Sequence, residues 1–148
     1  MKNLLIGLVL IIGKPILAQE KVSSNHLGTL TIEIKKFRNN SGKVMVTLFN
    51  NADAFPKASN KAIRSAAASI VDQKAEISFE NLPPGEYAVS VFHDENGNKK
   101  LDSNFLGIPK EGVGASNDAR GHFGPPKYQD AKFNFTGNQT IKINIVYL

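Results

Sequence analysis

The sequence predicts an all-β protein, a seven-stranded antiparallel β-sandwich carrying one long Asn/Gly-rich loop. Three observations lead there. Apolar and polar residues alternate in several short runs, the period of two expected of half-buried strands. Clusters of Gly, Asn, Pro and Ser punctuate those runs. Only one segment has a helix-forming composition, so layered sheets fit better than any helical architecture.

The first strand follows from Leu30, Ile32 and Ile34, which alternate with Thr31, Glu33 and Lys35. Arg38-Asn39-Asn40-Ser41-Gly42 is a turn cluster, and Val44, Val46 and Leu48 then alternate with Met45, Thr47 and Phe49, so a hairpin is expected. Asn50 to Pro56 reads as a connection with one helical turn. Residues 61–71 divide opinion: Lys61 to Ala68 favours helix on propensity alone, but the segment lies between strand patterns and ends Ser69-Ile70-Val71, which favours strand. Glu76 to Phe79 is the next strand. Asn81-Leu82-Pro83-Pro84-Gly85 predicts a Pro-Gly turn with glycine at positive φ. Beyond it Tyr87, Val89, Val91 and His93 share one face and Ala88, Ser90 and Phe92 the other, the pattern of a central strand. After Asp94 the β pattern lapses for over thirty residues, a length that in a compact domain points to function. Tyr128 to Phe135 and Ile141 to Ile145 complete the strands.

The N-terminus reads as a secretory signal. Lys2 precedes an apolar run from Leu4 to Ile12, and Ile16-Leu17-Ala18 supplies the cleavage region before Gln19. The run is shorter than the ~20 residues of a membrane-spanning helix. The expected organisation is therefore a signal peptide at 1–18, a polar leader at 19–27 and the β domain at 28–148, periplasmic or secreted. Cleavage takes away Lys2 and Lys14 and no acid, so the formal charge falls from +5 to +3. The remaining lysines are scattered, without the clustered basic face of a nucleic-acid binder. The chain has no cysteine, which excludes disulfides, thiolate metal sites and a lipid-modified N-terminal cysteine. No stable membrane insertion is expected once the signal is gone.

The chemistry concentrates in one stretch. Asp94, Asn96, Asn98 and Asp102 stand at relative positions 1, 3, 5 and 9. Calcium takes six to eight hard oxygens, and calcium loops draw them from alternate side chains and a backbone carbonyl. Here Lys100 supplies the carbonyl and Glu111 can complete the shell. The stretch departs from an EF-hand, with Lys99 where that loop has glycine and Phe105 where it has glutamate. Two readings stand open: a calcium loop, or an Asx-rich turn whose side chains bond their own backbone. His93 and His122, with Asp94 or Glu111, raise a third possibility, zinc and a metal-dependent hydrolase, though their spacing matches no standard zinc motif. Ser116 with either histidine can be assembled into a triad only on paper, since geometry defines a triad. No catalytic fingerprint is present, so a non-enzymatic module is expected. Phe105, Phe123 and Tyr128 are expected to pin the loop to the sandwich; the alternative is an exposed aromatic platform for a ligand.

The run Leu82-Pro83-Pro84-Gly85, Tyr87-Ala88-Val89, His93-Asp94-Glu95-Asn96-Gly97-Asn98, Leu101-Asp102, Asn104, Gly107-Ile108-Pro109-Lys110-Glu111 and Phe123-Gly124-Pro125-Pro126 resembles a bacterial exported family, domain of unknown function 2141, over about residues 29–147. The resemblance implies a small exported β domain with no assigned reaction. The turn and strand at 82–89 are also similar to prealbumin-like sandwiches, including carboxypeptidase regulatory domains and surface-protein B-type repeats. Some of those repeats hold calcium, which implies the same role for Asp94, Asn96, Asn98 and Asp102. Gly112 to Ser116 departs from the family, where a larger aromatic residue is expected. The leading expectation is an exported binding or structural module with a calcium-ordered loop at 94–111 and a protein or glycan partner. A small-ligand or glycan-binding domain is the alternative.

Overall fold

Alternation becomes burial as soon as the strands pair. In the computed structural model, which describes residues 26–148, Leu30, Ile32 and Ile34 of β1 (Gly28–Lys35) are fully buried while the residues between them are half-exposed. The same holds for Val44, Val46 and Leu48 in β2 (Lys43–Phe49). The signal peptide at 1–18 and the leader up to residue 25 lie outside the described residues. The remaining strands are β3 (Arg64–Ser69), β4 (Lys74–Leu82), β5 (Gly85–Asp94), β6 (Val113–Ala115), β7 (Phe133–Phe135) and β8 (Gln139–Asn144).

They form two sheets. One has the order β4-β1-β8, with β1 antiparallel to β4 and parallel to β8. The other runs β3-β2-β5-β6, and β7 also pairs with β5. A shared core lies between them, with Ile32 and Ile34 of the first sheet, Val46 and Val91 of the second, and Phe37, Phe79, Phe135 and Ile143 closing it. Fully burying one such side chain is worth about 1.5–3 kcal/mol. A second cluster, Phe49, Phe55, Ala88, Ala115 and Ala131, covers the outer face of the β2-β5 sheet. Phe55 makes edge contacts with Phe49 and Tyr128 there.

Several expectations change. The described residues form eight strands, not seven. The extra one, β6, has three residues, the middle one Gly114, and follows Gly112, so it leaves no periodic trace. Residues 128–131 form a helical turn, α1 (Tyr128–Ala131), whose Ala131 is buried in the second cluster, so strand begins only at Phe133. Strands β1 and β2 are not a hairpin. Their link carries the chain from one sheet to the other, as does the Pro83-Pro84 link between β4 and β5. Gly85 does not take positive φ; Asn81 does, at 53°. Glycine at 85 instead lies under Tyr87, whose hydroxyl donates to the carbonyl of Pro83 at 2.8 Å. In residues 61–71 strand prevails, because Val46 pairs with Ala66 and the alanines turn alternately toward the core. Helix propensity yields there to pairing with a buried neighbour strand.

Candidate functional site

Strand β5 ends in two buried polar residues, His93 and Asp94, and the long loop starts from them. His93 is fully buried. Its Nε2 lies 2.7 Å from the carbonyl of Ser41, which can only accept, so Nε2 carries a proton. On the other side Nδ1 lies at hydrogen-bond distance, 2.8 Å, from the Tyr147 hydroxyl, which also accepts the backbone N–H of Arg38 at 3.0 Å. The ring also packs edge-on against Phe37. Both nitrogens are thus engaged by the fold, and His122 lies exposed on a later connection. The geometry makes His93 a brace between the β1-β2 link, the loop and the C-terminal segment. Gly42, at φ +64°, makes that approach possible: a Cβ there would lie 1.9 Å from the carbonyl oxygen of Asp94.

Arg38 extends the brace outward. Its guanidinium sits 4.5 Å from the centre of the Tyr147 ring. It also pairs with Glu95, Nη2 donating to Oε2 at 2.9 Å and Nε lying 2.8 Å from Oε1 as an ion-pair contact. Burial pushes the Glu95 carboxyl up, but the hydrogen bond and charge of Arg38, with His93 and Asn39 behind them, outweigh it and hold the carboxyl below its ordinary value. Burial pushes the Tyr147 phenol up.

The loop proper is tied by side chains to its own backbone. Asp94 Oδ2 accepts the N–H of Lys99 at 2.9 Å. Asn96 Oδ1 accepts the N–H of Asn98 at 3.1 Å, and Asn98 Oδ1 that of Lys100 at 2.8 Å. Asp102 receives the side-chain amides of both Asn96, at 2.6 Å, and Asn98, at 3.0 Å. Glu111 is buried and clamps the two ends of the stretch, accepting the N–H of Glu95 at 3.0 Å and of Asp102 at 3.1 Å. The loop is therefore not structureless. It also contains a small antiparallel turn in which Ser103 bridges Pro109.

Two buried carboxylate oxygens here accept no hydrogen bond among the described residues: Glu95 Oε1, which faces the Arg38 charge, and Asp94 Oδ1, which faces none. An unpaired carboxylate oxygen in low dielectric is costly. Lys99, at the place where an EF-hand loop has glycine, takes φ +62° and makes the sharp turn that glycine makes there. Asp94, Asn96, Asn98, Lys100 and Asp102 are thus brought together, with Glu111 beside them as a backbone clamp. Among the described residues no group of three His, Cys, Asp or Glu is placed to hold a metal. A cation would need the amide and carbonyl oxygens of Asn96, Asn98 and Lys100 to fill its shell, the donor chemistry of calcium rather than zinc. Next to the loop an open groove of about 510 Å³ is lined by Arg38, Glu95, Asn96, Asp102, Ser103, Lys110 and Glu111.

The other candidates have structural work. Ser116 is buried, accepts the N–H of Val89 at 2.9 Å and donates to the carbonyl of Ala131 at 2.5 Å, fixing α1 to β5. Of the three aromatics expected to pin the loop, only Tyr128 packs, against Phe55. Phe105 and Phe123 are 96% and 106% exposed and pin nothing. The large residue expected near Gly112 to Ser116 has no room at Gly112, where a Cβ would lie 2.4 Å from Ile145 and 2.6 Å from the Tyr147 ring. Tyr147 fills that space from the C-terminal segment after β8. The sequence reading missed Tyr147, Arg38 and Gly42, since nothing in their spacing connects them to Asp94.

Over residues 32–143 the chain matches the family described as uncharacterized protein conserved in bacteria (DUF2141). The match spans most of the chain, and the protein belongs to this family. Neither a curated protein nor a solved structure matches it.

Proposed function

We propose that this DUF2141 member is an exported, non-catalytic binding or structural module, with a prealbumin-like arrangement of its two sheets, whose 94–111 loop is ordered by a calcium ion. The observation that carries the reading is the buried, unpartnered Oδ1 of Asp94 at the head of an oxygen-rich loop. The alternate spacing of Asp94, Asn96 and Asn98 and the left-handed turn at Lys99 support it. The Lys100 carbonyl and Asp102 complete the proposed donor set, and Glu111 holds the loop ends in place. Bound calcium supplies positive charge to a carboxylate oxygen, Oδ1 of Asp94, that otherwise faces no donor, and turns the Asn96 and Asn98 oxygens toward itself.

The test is thermal unfolding of residues 19–148 in EDTA and in excess calcium. A ligand that binds only the folded state at about a hundred times its Kd adds about 2.7 kcal/mol, an upward shift on the order of 10 °C. Asp94→Ala should abolish the shift. An unchanged midpoint with calcium would refute the reading. A second reading, a polar small-ligand or glycan site, rests on the groove between Arg38 and Lys110. A midpoint raised by a saccharide and not by calcium would favour it.

A further inference from the structure

The tip of the loop departs from the usual surface rule. Phe105 is 96% exposed, Leu106 68% and Ile108 43%. Single exposed apolar residues are common on soluble proteins. Here three large ones fall within four positions on one turn, and the turn is built to present them. Asn104 Oδ1 accepts the N–H groups of Leu106 at 2.9 Å and Ile108 at 3.0 Å. The backbone N–H of Asn104 donates to the carbonyl of Ile108, its carbonyl accepts the N–H of Gly107, and Gly107 takes φ +78°. The side chain of Asn104 thus does the folding that apolar contacts normally do, and the apolar groups face outward. The shape does not depend on a cation, because no carboxylate takes part in it.

Exposed lysines flank the tip. Lys99 and Lys100 precede the hairpin, Lys110 follows it, and all three are exposed. The N–H of Lys110 bonds the carbonyl of Asp102, which places it at the base of the hairpin stem. The acids of this loop are already occupied or buried: Asp94 and Glu111 are buried, Glu95 is paired with Arg38, and Asp102 is engaged by two amides.

We propose that the 103–109 hairpin docks the domain peripherally on an anionic phospholipid bilayer. Phe105 and Leu106, with Ile108 beside them, enter the interfacial region, and Lys99, Lys100 and Lys110 meet the phosphates. Area and charge select this occupant. A stable protein interface covers about 800 Å² on each partner, more than a five-residue tip offers. Membrane-surface binding needs only a few apolar side chains combined with basic ones.

The experiment is co-sedimentation of residues 19–148, which retain every described element, with phosphatidylcholine vesicles that contain or lack phosphatidylglycerol, in EDTA throughout. Binding is expected only with phosphatidylglycerol, falling as salt rises. Phe105→Ser should weaken it about tenfold or more, and Phe105→Ser/Leu106→Ser should remove it. Each of Lys99→Gln, Lys100→Gln and Lys110→Gln should weaken it about fivefold. All these variants should unfold at the temperature of the unaltered protein. No binding to anionic vesicles would overturn the proposal. So would binding that survives the double serine variant, which would mean adsorption through another face. Self-association removed by the double variant, without vesicle binding, would overturn it in favour of a second copy of the chain. Calcium-dependent unfolding is measured separately, so failure of either proposal leaves the other standing.

Discussion

The stem and the tip of the same loop are built on opposite plans. In the stem, polar side chains go in: Asp94 and Glu111 are buried and take backbone N–H groups from Lys99, Glu95 and Asp102. At the tip, apolar side chains go out: Phe105 and Leu106 face solvent while Asn104 closes the turn beneath them. A buried carboxylate is tolerated only when donors surround it. An exposed Phe contributes nothing to folding. The contrast separates what holds the loop from what the loop offers to a partner.

Stability measurements can break that division. The largest effect is expected for Glu111→Ala, which strands the N–H groups of Glu95 and Asp102. Each buried orphan costs about 1–3 kcal/mol, so urea unfolding should report a loss on the order of 3 kcal/mol. A loss below half a kcal/mol would mean that the stem does not depend on its clamp. Asp94→Asn comes next. It replaces a buried charge by a neutral amide, and in EDTA the domain should gain stability by about 1 kcal/mol or stay level, while the response to calcium disappears. A large loss in EDTA would show that the charge is satisfied without a cation.

A smaller, pH-dependent effect is expected at the outer edge of the stem. The folded Glu95 carboxyl lies below its ordinary value, so the stability it contributes is complete above the ordinary carboxylate range and is lost as pH falls through the folded value. Glu95→Gln should flatten that acid limb of the stability profile, and Arg38→Gln should do the same. The smallest effect belongs to the tip. Phe105→Ser should move the unfolding free energy by no more than about 0.5 kcal/mol, as for other exposed positions. A larger loss would show that the tip supports the stem after all.

Much of this was legible in the residues. The period of two in Leu30–Lys35 and Val44–Phe49 translated directly into buried and half-exposed faces, because one sheet face meets a core. The Asx spacing of Asp94, Asn96 and Asn98 located the loop. Pairing between strands was not legible: Arg38 to Gly42 has the composition of a hairpin turn, yet the chain crosses to the other sheet there, since pairing is decided by distant strands. Strand β6 was too short for periodicity to act. The brace of Ser41, His93, Tyr147 and Arg38 joins positions up to 109 residues apart. Phe105 and Phe123 were read as packing residues because hydrophobicity states a preference for burial, not whether the fold supplies a place.

Amide hydrogen exchange across residues 94–111, with EDTA and with calcium, tests the central claim most directly. The N–H groups of Glu95, Lys99 and Asp102 should be protected already in EDTA, because buried carboxylates hold them. In calcium at about a hundred times its Kd they should slow by up to ~100-fold further, as binding suppresses local opening. Exchange of those three amides at the rate of an unstructured peptide in both conditions would contradict the account.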